Sequence, residues 1–286
     1  MEYNVEKVTQ SSHKEVVDFL QQHENYSLFL LGNLEKYGAR LSESPYSGNF
    51  KLVRSLDKKI VCVFCLTRRG TLLIQSTVYE PIFQIVLSAC KEETMKILGV
   101  LGDWDICHRI WNFFQLSGVI QEETYFSKEV LYSVDISQTS KVREERVRLL
   151  DESDFMLWKP LRLAYNKEMR FPNISQEDQM FEEFRDKTRK KISWGLFLDE
   201  KRLVSIADLN AQAFDLGQVG GVYTDPNFRK RGLSKSVMRQ LLSDVKSIHH
   251  LRKVIIFTDI GNISAQKVYE SVHAKHIGYF GILFGR

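Results

Sequence analysis

Residues 222–234 read Val-Tyr-Thr-Asp-Pro-Asn-Phe-Arg-Lys-Arg-Gly-Leu-Ser. The pattern predicts a strand that ends at a turn marked by Pro226, then a basic loop with one glycine, then an amphipathic helix. A helix that begins after such a loop presents free backbone N–H groups and the positive end of its dipole at one point. Arg229, Lys230 and Arg231 suit a ligand with several negative charges. The stretch therefore predicts a phosphate or pyrophosphate site, and the alternative is a solvated basic turn.

A second stretch, residues 262–270, reads Asn-Ile-Ser-Ala-Gln-Lys-Val-Tyr-Glu and follows a β-branched run at 253–258. On a helix, Asn262 and Tyr269 lie two turns and about 10 Å apart on one face. Ala265 lies between them, and its small side chain leaves room above that face of the helix. In the functional interpretation, Asn262 and Tyr269 face the same bound ligand. The alternative is that Asn262 caps the helix and Tyr269 is a half-buried amphipathic residue.

Together the two stretches resemble the GNAT superfamily of acyl-CoA-dependent N-acyltransferases. Residues 229–234 are similar to its pyrophosphate loop, [Q/R]-x-x-G-x-[G/A], and residues 262–269 to its N-x-x-A-x-x-x-Y helix. One predicted helix and one predicted strand separate the two motifs, as in the family. The resemblance covers roughly residues 147–284. Ser234 replaces the usual Gly or Ala, and His273-Ala274 replaces a usual Gly-Phe.

The resemblance implies that the ligand is acetyl-CoA or another acyl-CoA, with acetyl-CoA as the expected co-substrate, and no metal is expected. Backbone N–H groups at 230–235 would hold the pyrophosphate, the backbone of 222–224 would pair with the pantetheine arm like an added strand, and Asn262 would contact that arm. The implied cofactor-binding residues are Val222, Tyr223, Thr224, Arg229, Lys230, Arg231, Gly232, Leu233, Ser234, Lys235 and Asn262.

The resemblance also implies catalytic roles. Tyr269, as a neutral phenol, is the candidate general acid for the departing thiolate. Many family members carry a Glu on the strand before the loop, but here that face holds Gln218, Gly220 and Val222. Asp208, on a neighbouring strand, is the nearest ionisable candidate for the general base. The alternatives are that Asp208 lies on the solvent side of its strand, or that a bound water is the base.

The whole chain predicts an α+β (mixed α/β) fold of tandem GNAT-like domains, each a central, mostly antiparallel sheet flanked by helices. Both halves run helices, strand hairpins, then helix and strand, which indicates a weak internal repeat. Residues 1–136 are interpreted as a degenerate GNAT-like domain, 137–145 as a polar linker, and 146–286 as the N-acetyltransferase domain. In the first half, Leu98–Asp103 occupies the analogous place between strand and helix but carries no Arg or Lys.

Composition argues against some classes of partner. The 286 residues carry a formal charge of +4, and no basic face stands out beyond the loop, which argues against a duplex nucleic-acid partner. The N-terminus lacks a signal-peptide core and no apolar run reaches the ~20 residues that cross a bilayer, so we expect a cytoplasmic protein without a membrane partner. Cys62 and Cys65 form a C-x-x-C pattern inside a predicted buried strand, where residues three apart face opposite ways, so core packing is expected.

The expected activity is transfer of an acetyl group from acetyl-CoA to a primary amine, on a small molecule or a peptide, by direct attack in a ternary complex. The acceptor is expected between the early helices, near Trp158, Tyr165 and Phe171, and the later sheet. The sequence leaves open whether the chain forms an oligomer. Two other functions remain open: a non-catalytic acyl-CoA-binding regulatory module, and a transferase of the aminoacyl or peptidyl type.

Overall fold

The computed structural model describes residues 3–139, 141–169 and 177–286. The first half contains β1 (Tyr3–Lys7), α1 (Gln10–Gln22), α2 (Glu24–Tyr37), β2 (Gly48–Ser55), β3 (Ile60–Thr67), β4 (Thr71–Ser76), α3 (Glu80–Lys91), β5 (Gly99–Asp103), α4 (Trp104–Leu116) and β6 (Glu123–Asp135).

The second half contains β7 (Val147–Leu149), α5 (Phe155–Glu168), α6 (Glu177–Arg189), β8 (Ser193–Phe197), β9 (Leu203–Ala213), β10 (Leu216–Thr224), α7 (Leu233–Ile248), β11 (Lys253–Asp259), α8 (Ile263–Ser271) and β12 (Lys275–Gly285). Both halves therefore run strand, two helices, three strands, helix, strand, helix, strand. The internal repeat and the mixed α/β fold are confirmed.

The chain divides into two compact units. The first comprises Met1–Leu131, Thr258–Asn262 and Ile277–Arg286, and the second comprises Tyr132–Phe257 and Ile263–His276. The division predicted from the sequence, with a linker at 137–145, stays a prediction.

Strand pairing is mostly antiparallel within each unit. In the first unit β1 to β4 pair consecutively and antiparallel, β4 pairs parallel with β5, and β5 pairs antiparallel with β12. In the second unit β7 to β10 pair consecutively and antiparallel, and β10 pairs parallel with β11. The two halves therefore share the same strand pairing: four consecutive antiparallel strands, the last of which pairs parallel with the fifth.

Helix α7 shows how the sequence positions the site. Its apolar residues recur every three or four positions, which places them on one face of a helix. The buried members of that face are Leu233, Val237, Met238, Leu241, Leu242 and Val245, and the helix packs against β9 and β8. Burial of this face fixes the N-terminus of α7 at the end of the loop that follows β10.

The four cysteines are packing residues. All are buried and free, and Cys62 and Cys65 lie on β3, as predicted. Burial raises the pKa of both thiols above their ordinary value and raises that of Cys90 to about 12, so the thiolate form is disfavoured. In the ranges that the structure describes, no group of three or more His, Cys, Asp or Glu side chains could hold a metal ion. None of the described helices is both long and apolar enough to span a bilayer.

Candidate active site

Strand β10 parts from its parallel neighbour and is bulged at the same point. Its register with β11 ends at the pair Val219 and Ile256, although β10 continues for five residues. On its other side, Gly221 and Val222 stand opposite one residue of β9, Ala207. Gly221 has a φ of +60°, a conformation that favours glycine and forms this kind of bulge. From the bulge onward, the edge of β10 that faces β11 is open for pairing with an extended ligand.

The open edge leads directly into a helix N-terminus. Eight residues, 225–232, join β10 to α7. Lys230 and Gly232 have left-handed φ values of 63° and 72°, a backbone pattern that turns N–H groups toward one side of a loop. Gly232 is the N-cap residue and has no side chain to cap the first turn of α7. A Cβ added there would meet nothing within 4 Å. The N–H groups in the first turn of α7 therefore receive no hydrogen bond from a capping side chain.

The three cations of the loop have different roles. Arg229 donates from Nε to the carbonyl oxygen of Thr224 (3.0 Å) and from Nη2 to Glu168 Oε2 (2.6 Å). The Glu168 carboxylate raises the pKa of the Arg229 guanidinium. Arg229 thus ties the loop to β10 and α5, and its charge is already offset. Lys230 and Arg231 are exposed and remain the cations available to an anionic ligand.

The side chain of Asp208 is buried and hydrogen-bonded through both oxygens. Oδ1 accepts from the Ser193 hydroxyl (2.6 Å), and Oδ2 accepts from the Lys187 ammonium (2.7 Å). Arg162 Nη1 lies 3.9 Å from the same Oδ2. Asp208 therefore does not lie on a solvent face. Both oxygens already have a hydrogen-bond donor, and these contacts join β9 to β8 and α6.

Tyr269 lies on α8 and is 5% exposed. Its ring packs edge-on against that of Tyr132, with 5.9 Å between centroids. The Tyr132 hydroxyl donates to Glu270 Oε1 (3.3 Å). Tyr132 therefore packs against the Tyr269 ring, a contact that no local pattern predicts because 137 positions separate the two residues. Asn262 immediately precedes α8, and its N–H donates to the carbonyl oxygen of Asp259 (2.9 Å).

A second ionisable cluster lies in the first unit, next to the turn between β11 and α8. The Ser127 hydroxyl donates to Glu129 and lies 3.1 Å from Asp259 Oδ2. Burial raises the pKa of Glu129 to about 7, the Ser127 hydrogen bond opposes this, and the Asp259 charge adds to it. Glu129 can therefore exchange a proton near neutral pH, and the sequence reasoning missed it.

The expected acceptor residues are only partly brought together. Trp158 is fully buried in the core with Phe155 and Phe184, so it packs rather than recognises a ligand. Tyr165 packs edge-on against Tyr223, with 6.2 Å between ring centroids. Phe171 lies outside the described residues.

The first half lacks the corresponding loop. By element order, its equivalent is the connection between β4 and α3, and three residues, Thr77–Tyr79, form it. The expected analogue, Leu98–Asp103, is instead mostly strand β5, so that placement was wrong. The β4–β5 pair also stays closely packed, because a Cβ added at Gly102 would lie 2.6 Å from the carbonyl oxygen of Ile74. The first half therefore offers neither an open edge nor a glycine-bearing basic loop at this place.

Comparison with known proteins agrees with this geometry. A model of the acetyltransferase (GNAT) family matches residues 158–274. No curated protein sequence matches the chain. Similar solved structures include a protein from Drosophila, with a TM-score of 0.68 and 13% identity over 98% of each chain.

Two further solved structures are similar over nearly the whole chain. One is a GCN5-related N-acetyltransferase from Sphaerobacter thermophilus, with a TM-score of 0.62 and 10% identity over 99% of this chain and 95% of that one. The other is a tandem GNAT protein of the clavulanic acid biosynthesis pathway, with a TM-score of 0.52 and 10% identity over 99% and 98%. At such identities the similarity shows the fold, and it agrees with the prediction of tandem GNAT-like halves. The acetyltransferase (GNAT) family model matches the half that carries the open edge and the basic loop, over residues 158–274.

Proposed function

We propose that the chain is an acetyl-CoA-dependent N-acetyltransferase that acts on a primary amine. The observation that carries the proposal is the continuity of an open strand edge with an uncapped helix N-terminus, both in the second unit. An extended pantetheine arm needs backbone partners, and a pyrophosphate needs N–H donors and cations. The structure offers both, in the order in which they occur along coenzyme A.

The residues present fit this co-substrate. Val222, Tyr223 and Thr224 would pair with the pantetheine arm along the open edge. The N–H groups at 230–235 would hold the pyrophosphate, with Gly232 leaving room for close approach. Lys230 and Arg231 would face the phosphate charges, while Arg229 would hold the loop in place through Glu168. Asn262 would contact the pantetheine arm from the turn before α8.

Acetyl-CoA would supply the acetyl group as a thioester. Groups at the site would have to accept a proton from the amine and donate one to the departing sulfur. An alkylammonium with a pKa near 10.4 must lose a proton before it can attack, which calls for a proton acceptor on the acceptor side. Because both oxygens of Asp208 are hydrogen-bonded, we propose that Asp208 supports the β10 bulge and that a water is the immediate base. The Tyr269 hydroxyl would donate the proton that the departing sulfur needs.

One observation favours a second candidate, a module that binds acyl-CoA without transferring its acyl group. Strand β10 carries no carboxylate, and Asp208 on the neighbouring strand β9 is already in an ion pair. In such a module the bulge and the open edge would serve binding alone.

Release of free thiol from acetyl-CoA distinguishes the two candidates. We expect the purified chain to release thiol in proportion to added primary amine, with an equal amount of acetylated amine found by mass spectrometry. Thiol release without amine measures background hydrolysis. Binding of acetyl-CoA with no amine-dependent release across a broad panel of amines would reject the transferase and retain the binding module.

A further inference from the structure

The β10 bulge lies beside three charged side chains whose formal charges do not sum to zero. Asp208 contributes one negative charge, while Lys187 and Arg162 each contribute a positive one. Their side chains are 0%, 15% and 20% exposed, respectively. Since Lys187 already makes the short ion pair with Asp208, the group retains about one uncompensated positive charge in a largely water-excluded place.

The uncompensated charge belongs to Arg162, on α5. Its Nη1 lies 3.9 Å from Asp208 Oδ2, beyond hydrogen-bond distance. The guanidinium lies over the ring of Tyr165, 5.2 Å from the ring centroid. Within residues 3–139, 141–169 and 177–286 no atom accepts a hydrogen bond from it. A guanidinium so placed retains donors for a planar anion.

Arg162 is also close to the point where β10 opens. A Cβ built on Gly221 would lie 3.3 Å from Arg162 Nη1 and 3.1 Å from Asp208 Oδ2. Since a Cβ is about 1.5 Å from its Cα, the guanidinium lies within about 5 Å of the bulge backbone. Bond lengths of about 1.5 Å also place the amine nitrogen and the carboxylate oxygens of an α-amino acid about 3 Å apart. One small molecule can therefore put its carboxylate on Arg162 and its amine beside the bulge.

We propose that the acceptor is a small amino acid whose carboxylate Arg162 binds beside the β10 bulge. The inference rests on the proposed function and names the acceptor class for the same site. Arg162 binds the acceptor and offsets its negative charge, while Lys187 keeps Asp208 neutralised so that this carboxylate does not repel the incoming one. An amine without a carboxylate would leave the positive charge of Arg162 uncompensated.

The test compares free amino acids with their amides, for example glycine with glycinamide and alanine with alaninamide, in the thiol-release assay. A charge-assisted contact of this kind corresponds to about 10- to 100-fold in kcat/KM. We expect the wild-type chain to prefer the acids by that factor. Arg162→Gln should abolish most of the preference by raising KM for the acids, with kcat/KM for the amides unchanged.

Lys159→Gln is the matched control, because Lys159 is a cation on the same helix that pairs with Glu177 (2.7 Å). It should keep the wild-type preference. Arg162→Lys, which retains the charge but not the planar fork, should fall between wild type and Arg162→Gln. Equal use of acids and amides by the wild type, or turnover confined to amines without a carboxylate, would overturn the inference and leave the transferase intact. Absence of thiol release with every amine would instead reject the proposed function itself.

Discussion

Replacing Tyr269 by Phe is expected to lower kcat by about 100-fold or more, since a positioned general acid contributes about 10²- to 10⁴-fold. The substitution removes the hydroxyl and keeps the ring, so the edge-on contact with Tyr132 survives and the fold should be unaffected. The affinity for CoA should change little, because the role assigned to the hydroxyl concerns proton transfer and not binding. Steady-state kinetics of thiol release and a CoA titration give the two quantities.

Tyr132→Phe provides the matched control for this result. It removes a neighbouring phenol hydroxyl, the one that donates to Glu270 (3.3 Å), and leaves both rings in place. We expect kcat to stay within about threefold of wild type, since the hydroxyl that donates to Glu270 has no part in the proposed proton transfer to sulfur. A Tyr269→Phe variant that turns over as fast as wild type would exclude the general-acid role.

Replacing Lys187 by Met is expected to reduce the free energy of unfolding by about 3 kcal/mol or more. Asp208 is fully buried, and its Oδ2 would lose the short contact to the Lys187 ammonium. Removing one partner of a buried ion pair costs about 3–5 kcal/mol, because the remaining charge loses its hydrogen-bonded counter-ion. Arg162 lies 3.9 Å from the same oxygen and should keep the loss toward the lower end. Urea unfolding of the two proteins measures the difference.

Lys190→Met, three positions further along the chain and one residue after the end of α6, is the comparison. Lys190 also makes a short ion pair, with Asp186 at 2.6 Å, but both side chains are about half exposed. An exposed pair is worth about 1 kcal/mol or less. The double variant Lys187→Met with Asp208→Asn should be more stable than Lys187→Met alone, because it removes the orphaned charge. If Lys187→Met and Lys190→Met lost the same free energy of unfolding, loss of the buried partner of Asp208 would cost no more than loss of an exposed ion pair.

Much of the fold follows from the sequence, because its signals are local. Apolar periodicity and a glycine predicted an amphipathic helix after the basic loop, and α7 (Leu233–Ile248) is that helix. The α8 helix and the strands around it also lie within a few residues of their predicted places. Strand β1 was missed, since Tyr3–Lys7 has two charged residues in five and pairs only through its neighbour β2.

The site could be predicted at its cofactor end but not at its acceptor end. The loop and the α8 motif are contiguous stretches whose spacing carries the signal. The Asp208 ion pair joins β9 to α6, and Arg162 approaches it from α5. Such contacts depend on how three elements pack, and no spacing along the chain encodes them. The pairing of Arg229 with Glu168, which removes one expected phosphate ligand, is of the same kind.

The central claim is that CoA binds along β10 and at the N-terminus of α7. Hydrogen exchange with and without CoA, followed by mass spectrometry, tests it most directly. The first-turn amides of α7 have no side-chain cap and should exchange rapidly in the free protein. We predict that CoA slows exchange at residues 222–224 and 230–235 and leaves the equivalent connection of the first half, Thr77–Tyr79, unchanged. CoA-dependent protection at Thr77–Tyr79, or none at 222–235 when CoA is bound, would contradict the account.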